Sequence, residues 1–390
     1  MGRIKVGLVG IGNCASSLVQ GTIYYGSRTE EVPGLITQNF AGYTPKDFEF
    51  TAAFDVDRRK VGKDLSAAIF EKPNCTQIFQ PEIPHLGCEV KMGYRLDSIA
   101  DHTTHYPLDR RFDALDDIYK SRDAAKKAIV GILRGAGVEV LVNYLPVGSE
   151  EAAFFYAECA LEAHCAFVNA IPVFVSKKWG DKFREAGLPI LGDDIKSQVG
   201  ATIVHRVLTK LFEDRGQKIR RTYQLNVGGN QDFLNMLDRS RLESKKISKT
   251  KSVTSQMSVE PDPENIYVGP SDYVPWLNDN KLCFIRIEGE QYGGVPMHLE
   301  LRLSVEDSPN SAGVITDAIR AAKVALDRKL SGPILEAACY LFKSPVQQVD
   351  DYTAKQMLME MASGTSADSA DNNGRKNLPE ADILAKKGKF

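Results

Sequence analysis

Ile4-Lys5-Val6-Gly7-Leu8-Val9-Gly10-Ile11-Gly12-Asn13-Cys14-Ala15 is the stretch that decides the fold. Ile4 to Val9 is a short β-rich run that stops at a Gly-x-Gly turn, and from Ala15 to Val19 the chain is apolar and helix-compatible. Strand, glycine turn and helix, in that order, are the setting of a dinucleotide fingerprint. Gly10 would make the turn, and Gly12 would let backbone amides approach a pyrophosphate at a helix N-terminus. Ala15, small, would let the helix lie close on the strand. Gly10, Gly12, Asn13, Cys14 and Ala15 are therefore candidate cofactor contacts. A tight strand–helix turn without a ligand makes the same local demands, so the turn alone leaves both readings open.

A second strand, Phe48 to Phe54, runs into Asp55-Val56-Asp57 after an insertion over 21–48. A carboxylate at that point can accept hydrogen bonds from an adenosine ribose, which favours NAD over NADP. Asp55 or Asp57 could instead only cap the next helical segment, and Arg58, Arg59 and Lys60 could hold a 2′-phosphate. Residues 70–120, rich in Pro, His and Asp, read as an irregular insertion over the sheet edge. Helical patterns at 122–134, 150–164 and 177–186 then alternate with strand-like runs at 138–144, 166–170 and 189–191. That alternation predicts a doubly wound, parallel, Rossmann-like α/β sheet over residues 1–200.

The pattern changes near residue 200. Ala201 to Asp214 reads as a helix with Ile203, Val204, Val207, Leu208, Leu211 and Phe212 on its apolar face. Strict alternation follows, as in Leu299, Leu301, Leu303 and Val305, which predicts a mainly antiparallel sheet in an α+β domain over 201–310. Helices within 311–358, the first from Ser311 to Leu326, return to complete the first domain. Residues 362–390, polar and low in aromatics, read as a disordered tail.

The 390 residues carry 49 Lys+Arg and 51 Asp+Glu, a formal net charge of −2, which argues against nucleic acid as a partner. The most apolar stretch, 163–175, is broken by His164, Asn169 and Pro172 and is too short for a bilayer. Seven scattered cysteines and a start that runs straight into a strand suggest a cytosolic protein with free thiols. His102 and His105 have the look of a metal pair, but no further Cys/His set accompanies them.

Several polar clusters stand at element ends. Asp193 and Asp194 follow a strand, at the ligand-binding edge of such a sheet. Asp194 could meet a metal, a hydroxyl or a nicotinamide, or the run to Ser197 could simply cap the Ala201 helix. Lys245 and Lys249 are four apart on one helical face, Lys281 precedes a strand, and Lys343 sits between apolar residues and Pro345. Singly, each reads as a solvated lysine; together they would suit a phosphorylated substrate. Asp307, at a turn before a helix, is a cap or a partner for a lysine.

The runs VGIGNCASSLVQG (9–21), AAFDVD (52–57), VNYLPVGSEEA (142–152), FVNAIPVF (167–174), GDDIKSQVGAT (192–202), LNVGGNQDFLNM (225–236), SKKISK (244–249), DNK (279–281), EDSPNSAG (306–313) and FKSP (342–345) resemble, in this order, the myo-inositol-1-phosphate synthase family, most closely its bacterial and archaeal branch. The resemblance spans about residues 3–346. It implies an NAD-dependent isomerase acting on glucose 6-phosphate: C5 is oxidised, the ketone acidifies C6, an internal aldol closes the ring, and C5 is reduced again. It also implies that Lys245, Lys249, Lys281 and Lys343 are active-site lysines, with Lys343 at the hydride and enolisation steps and Lys249 and Lys281 on phosphate and oxyanion. Asp307 would polarise a lysine, and Asp194 would lie near the nicotinamide and a possible metal. Cofactor contacts carry over to Gly12, Asp64, Ala136, Tyr156, Ser197, Asp232 and Lys245. A divalent cation, Zn or Mg, and a homotetramer built through the second sheet are further implications; Lys196 has no assigned part. A net sugar-phosphate or aldehyde dehydrogenase and an NAD-sensing binding protein are the competing readings on the same plan.

Overall fold

The computed structural model describes residues 2–28, 33–238 and 243–363, without the side chains of 243–246 and 270–271. The first unit is built from β1 (Ile4–Val9), α1 (Asn13–Gly26), β2 (Phe48–Asp55), the single turn α2 (Leu65–Ala68), β3 (Val90–Met92), α3 (Arg122–Gly135), β4 (Val140–Asn143), α4 (Glu150–Ala163), β5 (Ala166–Asn169), α5 (Val175–Glu185) and β6 (Pro189–Leu191). Next come α6 (Ala201–Asp214), β7 (Lys218–Gly228), α7 (Gln231–Asn235), α8 (Glu243–Thr254), β8 (Ile266–Tyr273), β9 (Asn280–Glu290) and β10 (Pro296–Glu306). The chain then returns through α9 (Asp307–Asp327), β11 (Gly332–Pro333), α10 (Leu335–Leu341) and α11 (Asp351–Ser363).

The first sheet has the order β11-β6-β5-β4-β1-β2-β3, and its pairings are all parallel. Strand order reverses between β1 and β4, so the crevice beyond their carboxyl ends is the ligand position of such a sheet. β1, β4 and β5 are buried on both faces apart from Lys5, which explains their mostly apolar runs. The insertion over 70–120 does more than cover the edge: β3 lies within it and pairs with β2 as the edge strand. The returning helix α9 begins at Asp307, four residues before the expected Ser311, because Pro309 is tolerated in a helix's first turn. Its Val314, Ile315, Ala318, Ile319 and Ala322 are buried in the first sheet's core.

The second sheet, β10-β9-β7-β8, is antiparallel except that β8 runs parallel to β7. Cys283, Ile285 and Ile287 of β9 turn one face inward beneath α6 and α8, as their alternation requires. α6 corrects the sequence reading. It buries Ala201, Thr202, His205, Arg206, Thr209 and Phe212, while Val207 and Leu211 are 56% and 49% exposed. Amphipathicity locates a stripe but not the side on which the rest of the chain lies. Here His205 reaches Thr222 and Gln224 of β7, at 2.7 and 3.3 Å, and turns the polar face inward.

α11 runs through Ala362, which is buried and whose carbonyl accepts from the Ala41 amide at 2.6 Å. The expected tail is therefore preceded by ordered helix up to Ser363, and residues 364–390 lie outside the described residues. Among the described residues no helix is long and apolar enough to cross a membrane.

Candidate active site

Gly10 takes φ +87°, and a Cβ there would stand 2.8 Å from the Tyr144 carbonyl oxygen on β4's exit. Gly12 is the N-cap of α1 with no side chain over the helix end, and a Cβ on it would meet nothing within 4 Å. The first amides of α1 therefore face open space, the arrangement that receives a pyrophosphate. Asn13 points aside, its Oδ1 accepting from the Cys75 and Thr76 amides at 2.7 and 3.0 Å. Cys14 faces the cleft, but burial, with Asp279 and Asp307 near it, pushes its thiol up to about 12.

On one side of this turn lies a pocket of about 480 Å³ lined by Gly10, Gly12, Asp55, Tyr94, Ser98 and Tyr156, among others. The Asp55 carboxylate is tied to the glycine turn, accepting from the Ile11 amide at 2.7 Å, and also from Val56 and Asp57. Tyr156 forms part of the wall, its hydroxyl accepting from the Tyr94 amide at 2.9 Å. The basic residues beyond Asp55 have partners of their own, and Lys60 also stands 4.0 Å from Asp55 Oδ2. Arg59 clasps the Asp57 carboxylate, Lys60 bonds the Ile11 carbonyl and Asn74 Oδ1 at 2.7 and 2.9 Å, and Arg58 pairs with Asp113 at 3.7 Å. This settles Asp57 as a structural partner and leaves Asp55 at the pocket.

Two expected cofactor contacts lie away from the glycine turn. Asp64 is the N-cap of α2, and its oxygens accept from the Ser66, Leu86 and Cys88 amides at 3.0 to 3.1 Å. Ala136 is the C-cap of α3, before β4, at the amino end of the sheet rather than the ligand edge. Neither lines the pockets beside the glycine turn.

On the other side of Gly12 opens a cleft of about 1000 Å³ between the two sheets. It gathers Asp194, Ser197, Asp232, Lys249, Lys281, Asp307 and Lys343, which come from six separate places in the chain. Lys343 Nζ stands 2.7 Å from Asp194 Oδ1, and Asp194 Oδ2 accepts from Ser248 at 2.7 Å. The backbone sets this pair: Lys343 N donates to the Asp194 carbonyl at 2.7 Å, beside a bridge between Ile195 and Phe342. Lys281 on β9 stands 3.0 Å from Asp307, the first residue of α9. Burial alone would lower the Lys281 ammonium, but Asp307 beside it, with Asp232 beyond, holds it above its ordinary value. Lys249 is 4% exposed on α8. Lys245 lies on α8 as well, but its side chain is outside the described residues.

Ser197 lines the cleft and does not cap α6, whose N-cap is Gly200. Asp193 turns away into the core, bonded to Asn169 and Ser176, and burial pushes its carboxyl up to about 6. Sequence reasoning missed Asp279. It is buried beneath the start of α9, accepts from Asn230, the Ser308 amide and the Ser308 hydroxyl, and its carbonyl receives the Asp307 amide at 3.0 Å. Burial and Asp307 push it up to about 6. Its place beside Lys281 in DNK was the available signal.

A divalent cation finds no ready-made ligand set. Among the described residues no group of three His, Cys, Asp or Glu could hold a metal ion. Asp194 and Asp307 are each paired with a lysine, and His102 meets the Leu234 carbonyl at 2.8 Å.

The family model described as myo-inositol-1-phosphate synthase matches residues 200–308. The inositol-3-phosphate synthase of Mycolicibacterium smegmatis is 53% identical over 371 residues, covering 93% of this chain and 99% of the relative. That of Corynebacterium glutamicum is 51% identical over 364 residues, covering 91% and 97%. The crystal structure of a myo-inositol-1-phosphate synthase-related protein from Thermotoga maritima is similar with a TM-score of 0.77 at 24% identity, over 93% of this chain and 98% of that one, a likeness of fold.

Proposed function

The chain belongs to the inositol-3-phosphate synthase family, and we propose that it isomerises D-glucose 6-phosphate to 1D-myo-inositol 3-phosphate with NAD as an internal hydride carrier. The observation that carries this reading is the meeting of a dinucleotide turn with two lysine–carboxylate pairs in one cleft. NAD fits what surrounds the turn: the open α1 terminus suits its pyrophosphate, and Asp55 suits an unphosphorylated ribose, because Arg58, Arg59 and Lys60 are spent on other partners. When bound there, it would supply reversible hydride transfer at C5.

The chain's own residues do the rest. The Lys343–Asp194 pair receives the C5 hydroxyl proton as the hydride leaves, and returns it at the last step. The C5 ketone acidifies C6, and removal of a C6 proton allows C6 to attack the C1 aldehyde. Lys281, kept cationic by Asp307, and Lys249 sit where the phosphate dianion and the oxyanions at C5 and C1 need positive charge in a closed site. One C–C bond forms, one C–H bond at C6 breaks, and the C1 oxygen gains a proton. Oxidation and reduction at C5 cancel, so the overall reaction is an isomerisation. Among the described residues the carboxylates do not gather into a cation site, and none of these steps is routed through a metal.

We infer further that the chain assembles as a homotetramer through the second sheet. Two features support this: Val207 and Leu211 stand exposed on α6, and β10, an eleven-residue strand, forms that sheet's edge.

The activity is tested by incubating the protein with glucose 6-phosphate and NAD while following 340 nm absorbance and phosphorus NMR together. The expected result is a new inositol phosphate without accumulating NADH. Stoichiometric NADH would instead identify a net dehydrogenase.

A further inference from the structure

We propose that Lys196, Asp351 and Arg206 form a buried clamp that joins the two sheets' units and fixes the Asp194–Lys343 pair relative to Lys249. The proposal rests on the reading of that pair as catalytic. Lys196 lies two residues past Asp194, is 2% exposed, and does not line the cleft. Its Nζ donates to the Cys339 carbonyl at 3.1 Å and stands 3.6 Å from Asp351 Oδ1. Arg206 of α6, fully buried, grips the same carboxylate with two bonds, 2.7 Å to Oδ1 and 3.1 Å to Oδ2. Asp351 opens α11, so the C-terminal helix is where the two cations meet.

The contacts close into a ring. Through its backbone, Lys196 donates to the Leu341 carbonyl at 2.9 Å, while Lys343 donates to the Asp194 carbonyl at 2.7 Å. Asp194 is held by Ser248 at 2.7 Å, and Ser248 receives the Ser344 hydroxyl at 2.8 Å. Ser248 and Lys249 are on α8, one turn before Ser252, and Ser252 binds Arg206 through its carbonyl at 2.5 Å and its hydroxyl at 3.3 Å. Ser255, also following on α8's line, adds a bond to Arg206 at 3.0 Å. Asp351 is therefore the closing link between a loop of the first sheet and two helices of the second unit.

Charge shows what the link does. Two buried cations share one carboxylate, with the Cys339 thiol and the Tyr340 ring as the other neighbours of Lys196. Burial and then Arg206 pull the Lys196 ammonium down to about 7, whereas Arg206 and Lys196 hold Asp351 below its ordinary value against burial. A second buried cation is a cost in stability, so the arrangement gains position rather than strength. Removing the carboxylate takes away the anion that lies between the two cations, drives the Lys196 ammonium lower still, and opens the ring at Asp351.

Asp351→Asn keeps the shape of a side chain that is partly exposed, so it should fold. The expected result is a fall in kcat of about tenfold or more, since a small misplacement of reacting groups can cost that much. NAD affinity and the number of NAD sites should stay within about twofold, because the pocket beside Asp55 lies outside the ring. Asp351→Glu should recover most of the loss, and adding Lys196→Met to Asp351→Asn should cost little more, as both open one ring. Wild-type kcat in Asp351→Asn would overturn the clamp while leaving the catalytic reading intact. A loss that tracks lost NAD sites and is not restored by Asp351→Glu would overturn it too, as plain destabilisation. Full turnover in Lys343→Met, run alongside, would remove the pair itself and the clamp with it.

Discussion

Lys343→Met should lower kcat by about a thousandfold while NAD still binds, the upper part of the range for loss of a positioned proton-transfer group. Methionine keeps the length and apolar stem of the side chain, so the effect comes from the lost ammonium rather than from a cavity. The lysine is mostly buried, with its Nζ 2.7 Å from Asp194, and the pair is framed by backbone bonds that the substitution leaves in place. Without the Lys343 amine, Asp194 keeps Ser248 as its side-chain partner and becomes a poorly compensated buried carboxylate, and the pair can no longer receive the C5 hydroxyl proton as the hydride leaves. The dinucleotide turn is built from β1, α1 and β4 and is tied by Asp55 rather than by Lys343, so NAD titration should give the wild-type affinity. Steady-state kcat together with NAD binding by fluorescence checks both halves; near-normal turnover would remove Lys343 from the mechanism.

The second large effect is expected at Gly12. Gly12→Ala should leave the melting temperature unchanged within about 2 °C and weaken NAD by about a hundredfold, roughly 2.8 kcal/mol. Gly12 has φ −88°, which alanine adopts freely, and its added Cβ would touch nothing in the protein. The new methyl would instead occupy the space over the first amides of α1 that a pyrophosphate enters. Gly10 gives the useful contrast. With φ +87° and backbone atoms 2.8 to 3.3 Å from a Cβ, alanine there would disturb the turn itself, so lost binding would not separate site from scaffold. Undiminished NAD affinity in Gly12→Ala would mean that the turn is only a strand–helix connection.

What could be read from sequence depended on how local the signal was. The Gly10 turn, the alternation into a parallel sheet and the period-2 strands of the second unit are each carried by residues within one or two elements, and their patterns survive folding. The lysines and acids were recognisable as types, but their pairing was not. Lys343 and Asp194 are 149 residues apart, and the backbone bonds around the Ile195–Phe342 bridge bring them together. Asp64 and Ala136 show the opposite limit. Neither lies in any of the runs that carry the family resemblance, so no motif fixed their positions, and one is a helix cap while the other is at the wrong end of a strand. α6 shows a third: its apolar stripe is real, but what it faces is decided by His205 and Arg206, which reach partners on β7 and α11. Asp279 stayed hidden because its work is done by hydrogen bonds to Asn230 and Ser308, which are distant in sequence.

The central claim is that oxidation and reduction occur at the same carbon within one closed site. Glucose 6-phosphate carrying deuterium at C5 tests it most directly, with mass analysis of both the inositol phosphate and the free nicotinamide pool. The account predicts that the label stays in the product, at the carbon derived from C5, and that the free pool contains none. Deuterium in released NADH, with unlabelled or absent inositol phosphate, would contradict it.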